Sequence, residues 1–130
     1  MSSVDIDWRA VVAGAIAALV LAVPAGVISA IVVSDDSGNG VFVFYVVIIV
    51  AMLLGGFVAG SKRPDAPLTH GALAAAVAYA IAQTITVVVK LIDGTDVRSP
   101  AVYVFNLLLM ASIGVVGGFI AERRNARVAG

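Results

Sequence analysis

Four long apolar stretches alternate with three short polar ones along the chain. Residues 10–33 carry no charge and neither do residues 41–60; residues 71–89 form a third uncharged run, closed by Lys90 and continued by Leu91 and Ile92, and residues 101–121 form a fourth. The first run has 24 positions, which at helical rise is about 36 Å against a hydrocarbon core of about 30 Å. Each of the others also reaches the roughly 17–25 residues that a crossing needs. A helix buried in a water-soluble protein rarely stays apolar on every side for so long. The pattern predicts an all-α fold: a four-transmembrane-helix bundle with helices at about 10–33, 41–60, 70–92 and 100–122, in a single membrane domain over 1–130.

The polar breaks read as turns. Residues 34–40 are polar and glycine-rich, residues 61–67 contain Pro64 and Pro67, and residues 93–99 are polar again. Proline inside a helix removes a backbone donor and blocks continuation. Ser99 before Pro100 predicts an N-cap followed by proline at the first helical position, and Thr69 is the expected cap of the third helix. Pro24 is expected to kink the first helix. Linkers this short make consecutive helices antiparallel neighbours. The first run is longer than the apolar core of a signal peptide and follows two acids and one base (Asp5, Asp7, Arg9), so it is expected to remain as an uncleaved helix.

Composition agrees with the pattern. Hydrophobic residues make up 62% and charged residues 12%, where a soluble domain carries about 25% charge; the polar surface needed to face water is missing, and the lipid bilayer is the expected partner of the outer surface. Basic and acidic residues balance at eight each, which offers nothing to nucleic acid. Without cysteine, and with His70 the one histidine, thiolate chemistry and histidine metal clusters have no residues to draw on. No phosphate-binding glycine loop and no HExxH or GxSxG motif is present. No catalytic, cofactor or metal residues are expected, and the chain reads as a non-enzyme.

Basic residues give the crossings a direction. With the N-terminus inside, Arg9, Lys62, Arg63, Arg123, Arg124 and Arg127 fall on the cytoplasmic side and only Lys90 and Arg98 on the other, the asymmetry of the positive-inside rule. Both termini are thus expected in the cytoplasm. Trp8, and Phe42, Phe44, Tyr45, Tyr103 and Phe105, stand near the ends of the runs as interfacial belts. Lys62, Arg63, Arg123 and Arg124 are candidates for contact with lipid headgroups. Lys90 is expected to reach the outer interface, with Asp93 as a neighbour to pair with.

The second and fourth runs end alike, in Gly55-Gly56-Phe57 and Gly117-Gly118-Phe119, and the first and third begin alike, in Gly14-Ala15 and Gly71-Ala72. The chain therefore reads as two similar antiparallel hairpins in parallel repeat, related by an axis along the membrane normal. In lipid, close backbone approach drives helix association, and small residues mark the contact faces. Candidates are Gly14, Ala18, Ala22 and Gly26 of the stripe running from Ala10 to Ala30, the pair Gly56 and Gly60, and the pair Gly114 and Gly118. The stripe serves either packing within the bundle or association with a second copy.

The segment Gly55-Gly56-Phe57-Val58-Ala59-Gly60, followed by Pro64, Pro67 and His70-Gly71, resembles a class of small four-helix bacterial membrane proteins with a GGFxAG helix end, a proline-bearing loop and a His-Gly start to the third helix. The resemblance implies four spans in a bacterial plasma membrane and implies no activity.

Polar side chains within the runs are candidate intramembrane contacts: Gln83, Thr84 and Thr86 on the third helix and Asn106 on the fourth. Asn106 and Thr86 fall at nearly the same depth at about 1.5 Å per residue, which predicts a hydrogen bond from Asn106 to Thr86 or Gln83. That face serves as glue between helices or as the polar lining of a path. His70, at the cytoplasmic interface, is expected to bond a loop carbonyl, with proton sensing as the sharper alternative. The expected function is that of a structural or accessory membrane subunit, with a second copy or another membrane protein as partner. The alternative is a small oligomeric transporter or channel for a small solute or ion.

Overall fold

The computed structural model describes residues 6–32, 39–94, 96 and 99–129, with the side chains of 29–32, 39–41, 128 and 129 left aside. The first polar connection with Asp35 and Asp36, and Arg98 in the third, lie outside the described residues. The described chain holds four helices: α1 Trp8–Val32, α2 Asn39–Lys62, α3 Pro67–Asp93 and α4 Pro100–Ala129. All four are long and apolar enough to cross a membrane.

Local chemistry sets the ends. Asp7 caps α1: its carboxylate accepts from the N–H groups of Arg9 at 3.0 Å and Ala10 at 3.4 Å, satisfying donors that have no partner within the helix. Helix α1 runs on through Pro24. Helix α3 starts earlier than expected. Pro67 occupies its first turn and Ala66 precedes it without any side-chain cap, so Thr69 is not the cap; the fixed φ of proline suits the first helical position and moves the start back. Gly94 closes α3 in the left-handed region at φ 73°, with its N–H directed at the carbonyls of Leu91 and Lys90, the usual glycine stop. Pro100 opens α4 as expected, and Ser99 contributes its carbonyl to the N–H of Val102 at 3.1 Å. Helix α4 continues well past residue 122 to Ala129, because Glu122, Arg123, Arg124, Ala126 and Arg127 are good helix formers with no glycine or proline among them.

Helices α2 and α3 form the middle of the bundle and each touches the other three, while α1 and α4 lie on opposite flanks and do not touch among the described residues. The interior is built from small side chains. Eleven of the fifteen buried hydrophobic residues described are alanines, whereas Val20, Phe42, Leu91, Ile92, Phe105 and Leu108 lie exposed on the outside. A water-soluble core would have the reverse arrangement, so the exposed branched and aromatic side chains point to lipid as the outer solvent.

Candidate functional site

Glycines bring the backbones together along two seams. A Cβ on Gly14 would collide with the carbonyl oxygen of Gly55 and lie 2.8 Å from the Cβ atoms of Ala59 and Ala74; one on Gly55 would lie 2.7 Å from the carbonyl oxygen of Gly14. A Cβ on Gly114 would collide with the carbonyl oxygen of Gly71, and one on Gly71 with that of Gly114. Gly56 sits against Gly114, and Gly60 against Gly118 with a Cβ-to-Cα approach of 3.0 Å. At such separations the glycine Cα–H groups face carbonyl oxygens across the interface, a weak attraction repeated at each crossing. The seam residues of the sequence reading, Gly14, Ala18, Gly56, Gly60, Gly114 and Gly118, are therefore engaged within one chain, and Ala22 is buried with them. Gly26 is different: a Cβ there would meet only Phe44, at 4.0 Å.

The same seams gather the start of α1, the end of α2, the start of α3 and the far part of α4 at one end of the bundle. His70 stands there, fully buried. Its Nδ1 lies 2.8 Å from the carbonyl oxygen of Ala66, and its Nε2 accepts the backbone N–H of Asp7 at 2.9 Å. An acceptor at Nε2 and a carbonyl at Nδ1 assign the ring proton to Nδ1. The expected bond to a loop carbonyl is present; the bond to Asp7 was not legible in sequence, since it joins positions 63 residues apart.

An ionic chain lies beside the imidazole. Arg63 donates to both carboxylate oxygens of Asp65, at 2.9 and 2.8 Å, and its other terminal nitrogen is 3.6 Å from Asp7. Partial burial acts to raise the Asp7 carboxyl, but the N–H groups of Ala10 and Arg9 and the Arg63 guanidinium outweigh it and hold it below the ordinary carboxylate range. The paired guanidinium brings Asp65 down to about 2, and Asp65 in turn holds the proton on Arg63 more tightly. Of the candidate headgroup residues, Arg63 is thus occupied within the protein, while Lys62, Arg123 and Arg124 are exposed.

The polar residues of α3 and α4 are arranged otherwise than expected. Thr84 and Thr86 donate to the carbonyls of Ala80 and Ala82, at 2.7 and 2.9 Å, and Ser112 donates to Leu108 at 2.9 Å. Each hydroxyl is satisfied one turn back on its own helix. No hydrogen bond joins Asn106 to Thr86 or Gln83 among the described residues: the Thr86 side chain faces outward and spends its proton on its own backbone. Gln83 and Thr84 instead line a mostly apolar groove of about 370 Å³ between α3 and α4, with Tyr79, Val87, Tyr103 and Leu107. The Tyr103 hydroxyl is buried there without a hydrogen-bond partner. Lys90 and Asp93 form no ion pair; the pairs among the described residues both belong to Arg63.

Comparison with known proteins finds no family model, no curated protein and no solved structure that matches this chain.

Proposed function

We propose that this chain is a non-enzymatic structural or accessory subunit of a bacterial plasma membrane, crossing it four times with both termini in the cytoplasm. The observation that carries the reading is the seam through Gly14, Gly55, Gly71 and Gly114, where backbones meet with no room even for a methyl group. A bundle closed this tightly at that end leaves no axial space there for a solute, and the hydroxyls of Thr84, Thr86 and Ser112 are spent on their own helices. The chemistry it offers is shape: a rigid apolar body with a charged end. Its orientation rests on the basic residues, since Arg9, Lys62, Arg63, Arg123, Arg124 and Arg127 share the end that carries His70. The bacterial setting rests on the resemblance of residues 55–71.

In this reading the bundle is two similar antiparallel hairpins, α1–α2 and α3–α4, in parallel repeat. Gly14 wedges between Gly55 and Ala59, and Gly71 between Gly114 and Gly118. The equivalent small residues are 59 positions apart, one turn short of the 62 that aligns the two Gly-Gly-Phe ends. Contact of α2 with α3 but not of α1 with α4 favours hairpins set side by side by a lateral shift. A two-fold axis along the membrane normal would make those two contacts alike.

A second reading, an oligomeric transporter or channel, is favoured by one observation, the groove with Gln83, Thr84 and the unpaired Tyr103 hydroxyl. The test is the mass of the full chain in native nanodiscs with its co-purifying proteins identified, together with solute flux in liposomes. A complex with a different membrane protein and no flux supports the accessory reading. A homo-oligomer that conducts supports the second. Because the chain has no cysteine, Asp96→Cys and Ala126→Cys read the orientation with an impermeant maleimide: labelling of the first alone in intact cells is expected, and labelling of the second overturns the topology.

A further inference from the structure

We propose that the far end of α4 is a binding site for one anionic phospholipid, its phosphate held by Arg123, Arg124 and Arg127 and the start of its acyl chains by Phe119 and Ile120. The inference rests on the four-span reading and not on the accessory role.

Helical geometry gathers these five residues. At about 100° per residue, Phe119, Arg123, Arg127, Ile120 and Arg124 fall within an arc of about 140°, with Glu122 about 60° outside it. They line a depression of about 360 Å³. The depression is graded along the helix: Phe119 and Ile120 are exposed apolar side chains at one end, and three guanidinium groups stand one to two turns further on. Helix α4 has 30 residues, about 45 Å of length against a hydrocarbon core of about 30 Å. Its last turns therefore extend into the headgroup region, where an acyl chain meets a phosphate.

Two of the guanidiniums lie over aromatic rings within cation–π range. Arg123 lies 5.7 Å from the centre of the Phe119 ring and Arg124 lies 5.5 Å from that of Phe57 on α2. A guanidinium drawn to a ring by cation–π attraction keeps N–H donors that can take phosphate oxygens. Among the described residues no carboxylate pairs with Arg123, Arg124 or Arg127, in contrast to Arg63, which Asp7 and Asp65 occupy. Three unneutralised cations above an apolar shelf complement the phosphodiester and the first methylenes of a phospholipid. A free phosphate would leave the shelf unused, and a zwitterionic headgroup would bring its own cation into the cluster.

The test uses the purified full chain in mild detergent, titrated with phosphatidylglycerol, phosphatidylcholine or inorganic phosphate, and read by thermal melting and by lipid retained in native mass spectrometry. Phosphatidylglycerol is expected to raise the melting temperature and stay bound one per chain, while phosphatidylcholine and inorganic phosphate do neither. The R123Q/R127Q variant is expected to weaken retention about tenfold or more, from two lost phosphate partners. R127Q alone, at an exposed position, serves if the double variant does not fold. Lys90→Gln, which removes a charge at the other end, is expected to keep the full effect. Equal stabilisation by phosphatidylcholine or by inorganic phosphate, or retention unchanged in the arginine variants, overturns the site. Equal loss in Lys90→Gln also overturns it, by making the effect one of net charge. Failure of the four-span reading is separable, because it appears as release of the chain from membranes by alkaline carbonate.

Discussion

The Nε2 of His70 accepts the backbone N–H of Asp7, so the residue that caps α1 is bonded directly to the first turn of α3. That one contact closes the charged end of the bundle between helices that are not consecutive. It is the bond that the Asp7 N–H makes among the described residues, and a change at His70 removes its acceptor. His70→Leu leaves this donor orphaned, while the Ala66 carbonyl keeps the N–H of residue 70 at 3.2 Å. The expected loss of stability is about 1–3 kcal/mol. His70→Gln, whose amide can reach one partner, is expected to lose less. Thermal melting of the two variants ranks them, and equal melting temperatures for His70→Leu and the parent chain would contradict the latch. Nitrogen NMR of the parent gives an independent reading, with the protonated ring nitrogen expected at Nδ1.

The glycine seam predicts a contrast between two residues of one helix. Gly14→Ala places a methyl group against the Gly55 carbonyl and the Ala59 and Ala74 side chains. Backbone cannot step aside, so overpacking of about 1–3 kcal/mol is expected. Gly26→Ala meets only the far edge of Phe44, at 4.0 Å, and gains up to about 1 kcal/mol of helix propensity. Melting of the two variants in the same detergent should move in opposite directions. A similar loss in both would mean that the whole stripe packs alike.

The four helices of crossing length and the small-residue faces were legible because both are one-dimensional: an apolar run long enough to cross, and a spacing of four that puts residues on one side of a helix. Gly14, Ala18 and Ala22 could be read that way, but their partners could not, and Gly26 shares the spacing without sharing the contact. Depth along a helix can be counted from the sequence; rotation about its axis cannot. Asn106 and Thr86 fall at nearly the same level, yet Thr86 faces outward and bonds to Ala82. A hydroxyl with its own helix carbonyl in reach needs no neighbour, which is why equal depth did not make a bond. His70 illustrates the remaining limit. Its loop carbonyl is four residues away and foreseeable, while its Asp7 partner exists only once α1 and α3 are packed.

Acid should loosen the charged end late. The Arg63 guanidinium brings the Asp65 carboxyl down to about 2, and Asp7 is also held below the ordinary carboxylate range. For a carboxylate whose folded value is depressed, the stabilisation is present above the unfolded value and is lost as pH falls through the folded one. The contribution of both should therefore be constant above about pH 4 and fade from there toward about 2 for Asp65. Melting temperature followed from pH 6 down to 2 in the parent and in Arg63→Gln is the measurement. The parent is expected to show the steeper acid slope, because Arg63→Gln has already lost the partner of both carboxylates. Parallel curves would remove Arg63 from the account.

Tyr103 separates packing from passage. Its hydroxyl is buried in the α3–α4 groove with no hydrogen-bond partner, and a buried hydroxyl left unpaired costs about 1–3 kcal/mol. If the groove is only a seam between helices, Tyr103→Phe removes that cost and keeps the ring in the groove that Leu107 and Val87 also line, so the variant should melt at or above the parent temperature. If instead the groove receives a polar solute in an assembled form, the hydroxyl is there to meet it. Tyr103→Phe would then stabilise the isolated chain and reduce flux in liposomes together. Stability and flux measured on the same preparation distinguish the two: a rise in melting temperature with no flux in either protein supports the seam, and a fall in melting temperature shows that the hydroxyl is paired after all.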